Sequence, residues 1–334
     1  MKGLRLLAAC SALSICSSAP AQDSLRSAHE LFPVKVDGKW GFIDASGKPQ
    51  IAPGLSDVDE FGKLSDGFAI AAVDGKWGFI NDKGEWVIKP QFHLAMNCPS
   101  ALAAVETDDG KWRFTNRKGE FVDDAKYDNV MCFGVGPAAV ITEGDDAWTY
   151  LDLKPMRLLP VRQNIPEGFD EGLTPMQVGN IWGFVDESGT FVIPPRFDEA
   201  RGFSEGLAAV RLGDNWGYAN RAGAIVITPQ FGWAYGFSEG LAGVELDGKY
   251  GYIDKEGYFI IPAKFEDVRE FSQGLAAVKR SSKWGYIDKQ GSIVVEPRFD
   301  NNALPFRAGI AQVRLLGDLG YIDKSGEYVW KPAR

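Results

Sequence analysis

The chain has 334 residues, 45% of them hydrophobic and 12% aromatic, a composition too apolar and too aromatic for a disordered polypeptide. Its formal charge of −9 argues against the basic face that general nucleic-acid binding requires. The length admits two average domains or one extended array, and 39 Gly and 18 Pro, many at regular intervals, punctuate short elements and do not form a low-complexity tract.

Residues 1–21 read as a secretory signal peptide. Lys2 and Arg5 supply a positive start, Leu4 to Ile15 is mostly apolar and small, and Ala19-Pro20-Ala21 offers a small–x–small cleavage pattern. The apolar stretch is too short to span a bilayer, and charged residues interrupt every later apolar run, so no membrane span is expected. Leu7-Ala8-Ala9-Cys10 also resembles a lipoprotein cleavage box, but almost no apolar core precedes the cysteine. The expected product is exported, periplasmic or extracellular. Removing Lys2 and Arg5 takes the formal charge from −9 to −11. Cys10 and Cys16 leave with the leader, while Cys98 and Cys132 stay, 34 positions apart. In an oxidising compartment these two can staple adjacent repeats; the alternative is a pair of buried free thiols.

After a short linker at 22–30, residues 31–334 read as nine tandem units of about 34–37 residues. An anchor residue falls at Trp40, Trp77, Trp112, Trp148, Trp182, Trp216, Tyr250, Trp284 and Leu319, and glycine follows it in seven of the nine. Two residues past each anchor stands an aromatic, from Phe42 to Tyr321, and two further on an Asp or Asn. Gly comes three later in eight units, Pro155 being the exception. Anchor and aromatic point to one face of a strand, where flat side chains pack well. The glycine between them faces the other way and implies that a neighbouring strand or ring lies close. Asp or Asn followed three residues on by Gly is type I turn chemistry. Asp-Gly-Lys at 37–39, 74–76 and 247–249 is a hairpin signal joining a preceding apolar run to the anchor strand. Each unit therefore predicts a three-stranded antiparallel meander, and a Phe-containing connection such as 265–271 leads to the next.

Gly38-Lys39-Trp40-Gly41-Phe42-Ile43-Asp44, Lys283-Trp284-Gly285-Tyr286-Ile287-Asp288 and Phe203-Ser204-Glu205-Gly206-Leu207-Ala208-Ala209-Val210 resemble the WG (or KWG) repeat family of bacterial proteins. The resemblance covers about residues 31–334. It implies a β-rich interaction module without a shared catalytic centre or cofactor. The third and fourth units depart from the pattern, with Arg113 and Thr149 in place of Gly. A meander of this size cannot bury its own aromatic face, so units must stack on neighbours. The expected architecture is all-β, an open solenoid-like stack, with a closed propeller-like ring as the alternative.

Three motifs tempt a chemical reading. Gly202-Phe203-Ser204-Glu205-Gly206 and Gly236-Phe237-Ser238-Glu239-Gly240 match a nucleophile elbow, but a strand-like run follows each where that motif needs a helix. The chain holds only His29 and His93, so bases are scarce. Acidic turns such as Asp186-Glu187-Ser188-Gly189 lack the clustered oxygens of a calcium loop, and no zinc spacing occurs. No metal or cofactor is expected. Trp86, Trp233 and Trp330 lie off the anchor position and, with Tyr235, are the candidate binding surface. The irregular stretch from about 95 to 170 is the other candidate. These features favour a non-catalytic scaffold for an unknown protein partner; the alternative is a carbohydrate or cell-wall binder using exposed rings.

Overall fold

The computed structural model describes residues 30–59, 68–99, 101–133, 136–154, 156–163, 167–300 and 303–331. The expected signal peptide lies outside them. Nine antiparallel sheets follow one another along the chain, one per anchor, and close into a nine-bladed β-propeller. The blades are numbered one to nine in that order.

The sixth blade shows the unit. Its strands run Glu199–Ser204, Leu207–Leu212, Asn215–Asn220 and Ile225–Phe231, paired in sequence order from the centre of the ring outward. A blade is covered on both faces by its neighbours, so the second strand loses the alternation of a half-exposed sheet: Leu207, Ala208, Ala209 and Val210 are all buried. The core lies between blades. One cluster joins Trp216, Tyr218, Ile227 and Phe231 of the sixth blade to Ala234, Phe237, Ala242 and Val244 of the seventh. The Tyr218 ring meets Phe237 edge-on at 4.9 Å, a contact beyond simple area burial.

The glycine after the anchor has a steric cause. Trp216 pairs with Phe231 and Tyr218 with Ile227, so the outer strand spends four residues where its neighbour spends two. The extra residues bulge toward Gly217: a Cβ there would lie 2.4 Å from the Ile227 carbonyl oxygen and 2.7 Å from the Pro229 nitrogen. Where Arg113 takes this place, the outer strand reduces to isolated bridges, Trp112 to Tyr127 and Thr115 to Phe121, and the guanidinium donates to the Asp123 carbonyl at 2.7 Å. Where Thr149 takes it, the threonine pairs with Arg162 and the bulge falls between Thr149 and Leu151.

Two expectations are corrected. The unit is not a three-stranded meander, because the Phe-containing connection is itself a strand: Glu199–Ser204, Trp233–Ser238 and Asp267–Ser272 are innermost strands, and five blades have four regular strands. The array is not an open stack either. Inner strands of neighbouring blades approach closely where small residues meet: a Cβ at Gly236 would lie 3.3 Å from Ser204 Cβ. Ser204, Ser238 and Ser272 each donate to a carbonyl of the next inner segment, at 2.5, 2.7 and 2.7 Å. The turn leading into an outer strand packs on the outer strand of the blade before it, as Gly257 does on Ile227, so blades are in contact from the centre to the rim, and nine of them bring the last blade onto the first. There Phe32 meets Tyr321 at 5.6 Å, Tyr321 Oη donates to the Pro33 carbonyl at 2.9 Å, and Arg307 pairs with Glu30.

Candidate functional site

The inner strands of blades six to eight each carry a one-residue bulge. In the sixth blade Ala200 pairs with Val210 and Phe203 with Ala208, leaving Arg201 and Gly202 opposite a single residue. The seventh and eighth blades repeat this at Tyr235-Gly236 and Arg269-Glu270. The flanking residues recur because they face the core; the bulged one varies from blade to blade. A cross-blade bond fixes the bulge: Tyr218 Oη donates to the Tyr235 carbonyl at 2.7 Å, and Tyr252 Oη to the Arg269 carbonyl at 2.6 Å. Burial holds both phenols well above their ordinary pKa, so they remain donors.

On this scaffold stands a row of half-buried side chains. The Arg201 guanidinium lies 4.0 Å from the Trp233 ring centroid and 4.7 Å from that of Trp216. Trp233 in turn is 6.2 Å from Tyr235, which is 6.1 Å from the anchor Tyr250. Arg269 lies 5.0 Å over Trp284. Stacking on two rings fixes Arg201 in one orientation. Arg201 Nε and Trp233 Nε1 are buried donors without a hydrogen-bond acceptor, and neither arginine side chain has an ion-pair or hydrogen-bond partner among the described residues. The nearest acids do not supply one. Glu199 is paired with Arg211 at 3.2 Å, and Asp267 accepts from the Val268 amide at 2.8 Å. Burial pushes Glu167 and Glu270 up to about 7, against the opposing pull of Arg201 and Arg269 respectively. Burial also draws Arg201 below its ordinary pKa, with Glu199 and Glu167 opposing; a guanidinium stays charged regardless.

The row lies at the start of the inner strands, on the face that carries the links between blades. Those links are tied to the adjoining hairpin turns, as where Asp198 accepts from the Gly213 amide at 2.7 Å.

The four expected surface aromatics separate. Trp233 and Tyr235 come together in the row. Trp86 and Trp330 instead begin or end outer strands, half-buried, and pack against the first blade's core and the closing interface. In the irregular stretch, Cys98 and Cys132 are joined by a disulfide, with their Cα atoms 5.1 Å apart, and it links the inner segments of the third and fourth blades. The elbow-like serines are spent on carbonyls of the neighbouring blade. Glu205 and Glu239, beside them, accept from the Gly240 and Gly274 amides, so these segments act as inter-blade ties. Sequence reasoning passed over Arg201 and Arg269. A signal existed: with the copies in phase, 201, 235 and 269 vary between constant Ala or Val, Phe and Ser positions.

The model of the WG containing repeat matches residues 40–77, 77–112, 182–216, 216–250, 250–284 and 284–317, more than half of the chain. No curated protein matches at a significant level. Among solved structures, a eukaryotic initiation factor aligns over 90% of this chain and 94% of its own, with a TM-score of 0.60 and 11% identity. The dihydro-heme d1 dehydrogenase NirN aligns over 95% and 77% at 0.47 and 12%. BamB from Moraxella catarrhalis aligns over 86% and 94% at 0.40 and 11%. At these identities the initiation-factor likeness speaks to the fold alone. No helix among the described residues is long and apolar enough to cross a membrane.

Proposed function

The chain belongs to the WG containing repeat family, and we propose that it is an exported, non-catalytic scaffold that recognises a protein partner through the inner-strand face of blades six to eight. The observation that carries this reading is the Arg201–Trp233–Tyr235 row, in which charged and polar donors are desolvated, fixed and left without acceptors. Tyr, Trp and Arg are the residue types in which binding energy concentrates at protein interfaces. The same geometry weighs against sugar stacking at Trp233. A glycan platform needs an open ring face, whereas Arg201 covers one face of Trp233 and other rings crowd its edges. Export rests on the leader at residues 1–21 and accords with the Cys98–Cys132 disulfide.

In-cell photo-crosslinking tests this. With p-benzoylphenylalanine at position 235 of the tagged protein, one dominant protein adduct is expected, absent when the probe sits at position 86. Recovery of wall material alone, or equal capture from both positions, would sink the reading.

A further inference from the structure

We propose that Arg201 and Arg269 form a carboxylate-binding site that receives an acidic stretch of the partner polypeptide; this rests on the partner-binding reading above. The two arginines occupy the same bulge position on inner strands two blades apart, with Tyr235 between them on the intervening strand. Each lies on the anchor tryptophan of its own blade, so its side-chain entropy is already spent before a ligand arrives. Neither guanidinium has a hydrogen-bond or ion-pair partner among the described residues. Four other arginines do have one: Arg162 with Asp145, Arg211 with Glu199, Arg221 with Glu171 and Arg307 with Glu30.

Every orphaned group in this row is a donor. Arg201 Nε and Trp233 Nε1 both need an acceptor, and a guanidinium fork matches the two oxygens of a carboxylate. The acidic side chains beside the row are engaged elsewhere or shifted: Glu199 pairs with Arg211, Asp267 and Glu245 accept from the Val268 and Gly248 amides, and burial moves Glu167 and Glu270 toward the neutral acid. Two cations two blades apart call for a ligand with carboxylates repeated along its length. An acidic polypeptide supplies these without needing the covered face of Trp233. The net charge of −9 repels such a ligand at distance, so recognition is local and its specificity comes from these two positions.

The test is isothermal titration of the full chain with hexaglutamate, with hexaglutamine and with an oligogalacturonate. Hexaglutamate is expected to bind in low salt and hexaglutamine not. Arg201→Gln and Arg269→Gln should each weaken hexaglutamate at least tenfold while keeping the wild-type Tm, and Arg201→Lys should fall between, keeping charge but losing the fork. The proposal is overturned if hexaglutamate binds no better than hexaglutamine, if both glutamine variants bind it as wild type does, or if oligogalacturonate binds more tightly. Should Arg201→Gln unfold the chain, Arg269→Gln, whose guanidinium lies on one ring, decides. Adding hexaglutamate to the crosslinking at position 235 separates the two readings. Undiminished capture overturns the carboxylate site and leaves partner binding standing; no capture at all sinks partner binding, and the titration still decides the site.

Discussion

Replacing Gly217 by alanine tests the account of the repeat at its tightest point. A Cβ there would sit 2.4 Å from the Ile227 carbonyl oxygen, 2.7 Å from the Pro229 nitrogen and 2.9 Å from Pro229 Cα. All three are backbone atoms, so no side chain can swing away. Ordinary contact would need the outer strand to retreat by about 1 Å, loosening the Trp216–Phe231 and Tyr218–Ile227 pairs and the core beneath them. Overpacking of this kind costs about 1–3 kcal/mol, and a clash with three backbone atoms of one strand belongs at the upper end, about 3 kcal/mol. The sign is informative, because Gly→Ala inside a strand otherwise stabilises by about 0.5–1 kcal/mol. Gly206 supplies the contrast. Its φ is +86° with nothing within 4 Å of a Cβ, so alanine there meets backbone strain without a clash, about 1 kcal/mol. Equilibrium urea unfolding of both variants should rank them in that order. A Gly217→Ala protein within 0.5 kcal/mol of wild type would refute the reasoning that the outer-strand bulge requires this glycine.

Three further perturbations follow from particular contacts. Burial raises the folded pKa of Glu270 to about 7 from 4.5, so its contribution is fully present at acid pH and is lost as pH rises through about 7. Glu270→Gln should flatten the fall in Tm between pH 5 and pH 8, by up to about 3 kcal/mol in stability; an unchanged profile would show that this carboxyl titrates normally. Replacing Cys98 and Cys132 together by serine opens a 34-residue loop and should cost about 3–4 kcal/mol, read as a Tm drop that matches reduction of the wild type by dithiothreitol. Tyr321→Phe removes the bond to the Pro33 carbonyl that helps close the ring; urea unfolding should show a loss of about 1 kcal/mol, and no loss would mean closure rests on apolar packing alone.

The in-phase pattern was enough to read the unit. Alternating anchor and aromatic residues mark a strand face, and Asp44 with Gly47 makes the expected turn, its Gly amide donating to the Asp44 carbonyl at 2.9 Å. Asp37 and Gly38 take the positive φ values, 48° and 77°, that a primed hairpin turn requires. Even the close approach at the glycine after the anchor was legible, since a side chain missing from a repeated position implies an occupant. These are local properties, set by a few neighbouring residues and by strand geometry.

The inner strand escaped notice because its bulge breaks the two-residue period, so Glu199–Ser204 looked like a connection. Without that strand the unit counted three strands where a propeller blade has four, so the open stack was expected and the closed ring, which the structure has, was only the alternative. The choice between them depends on the small angle at each interface, which nine interfaces accumulate and no single unit encodes visibly. Likewise Trp86, Trp233 and Trp330 share the property of lying off the anchor position, yet only Trp233 meets an arginine. Residue type and phase determined the strands, the turns and the disulfide candidates. Which side chains meet across blades, and therefore where Arg201 and Trp233 were left with unpaired donors, was decided by the ring.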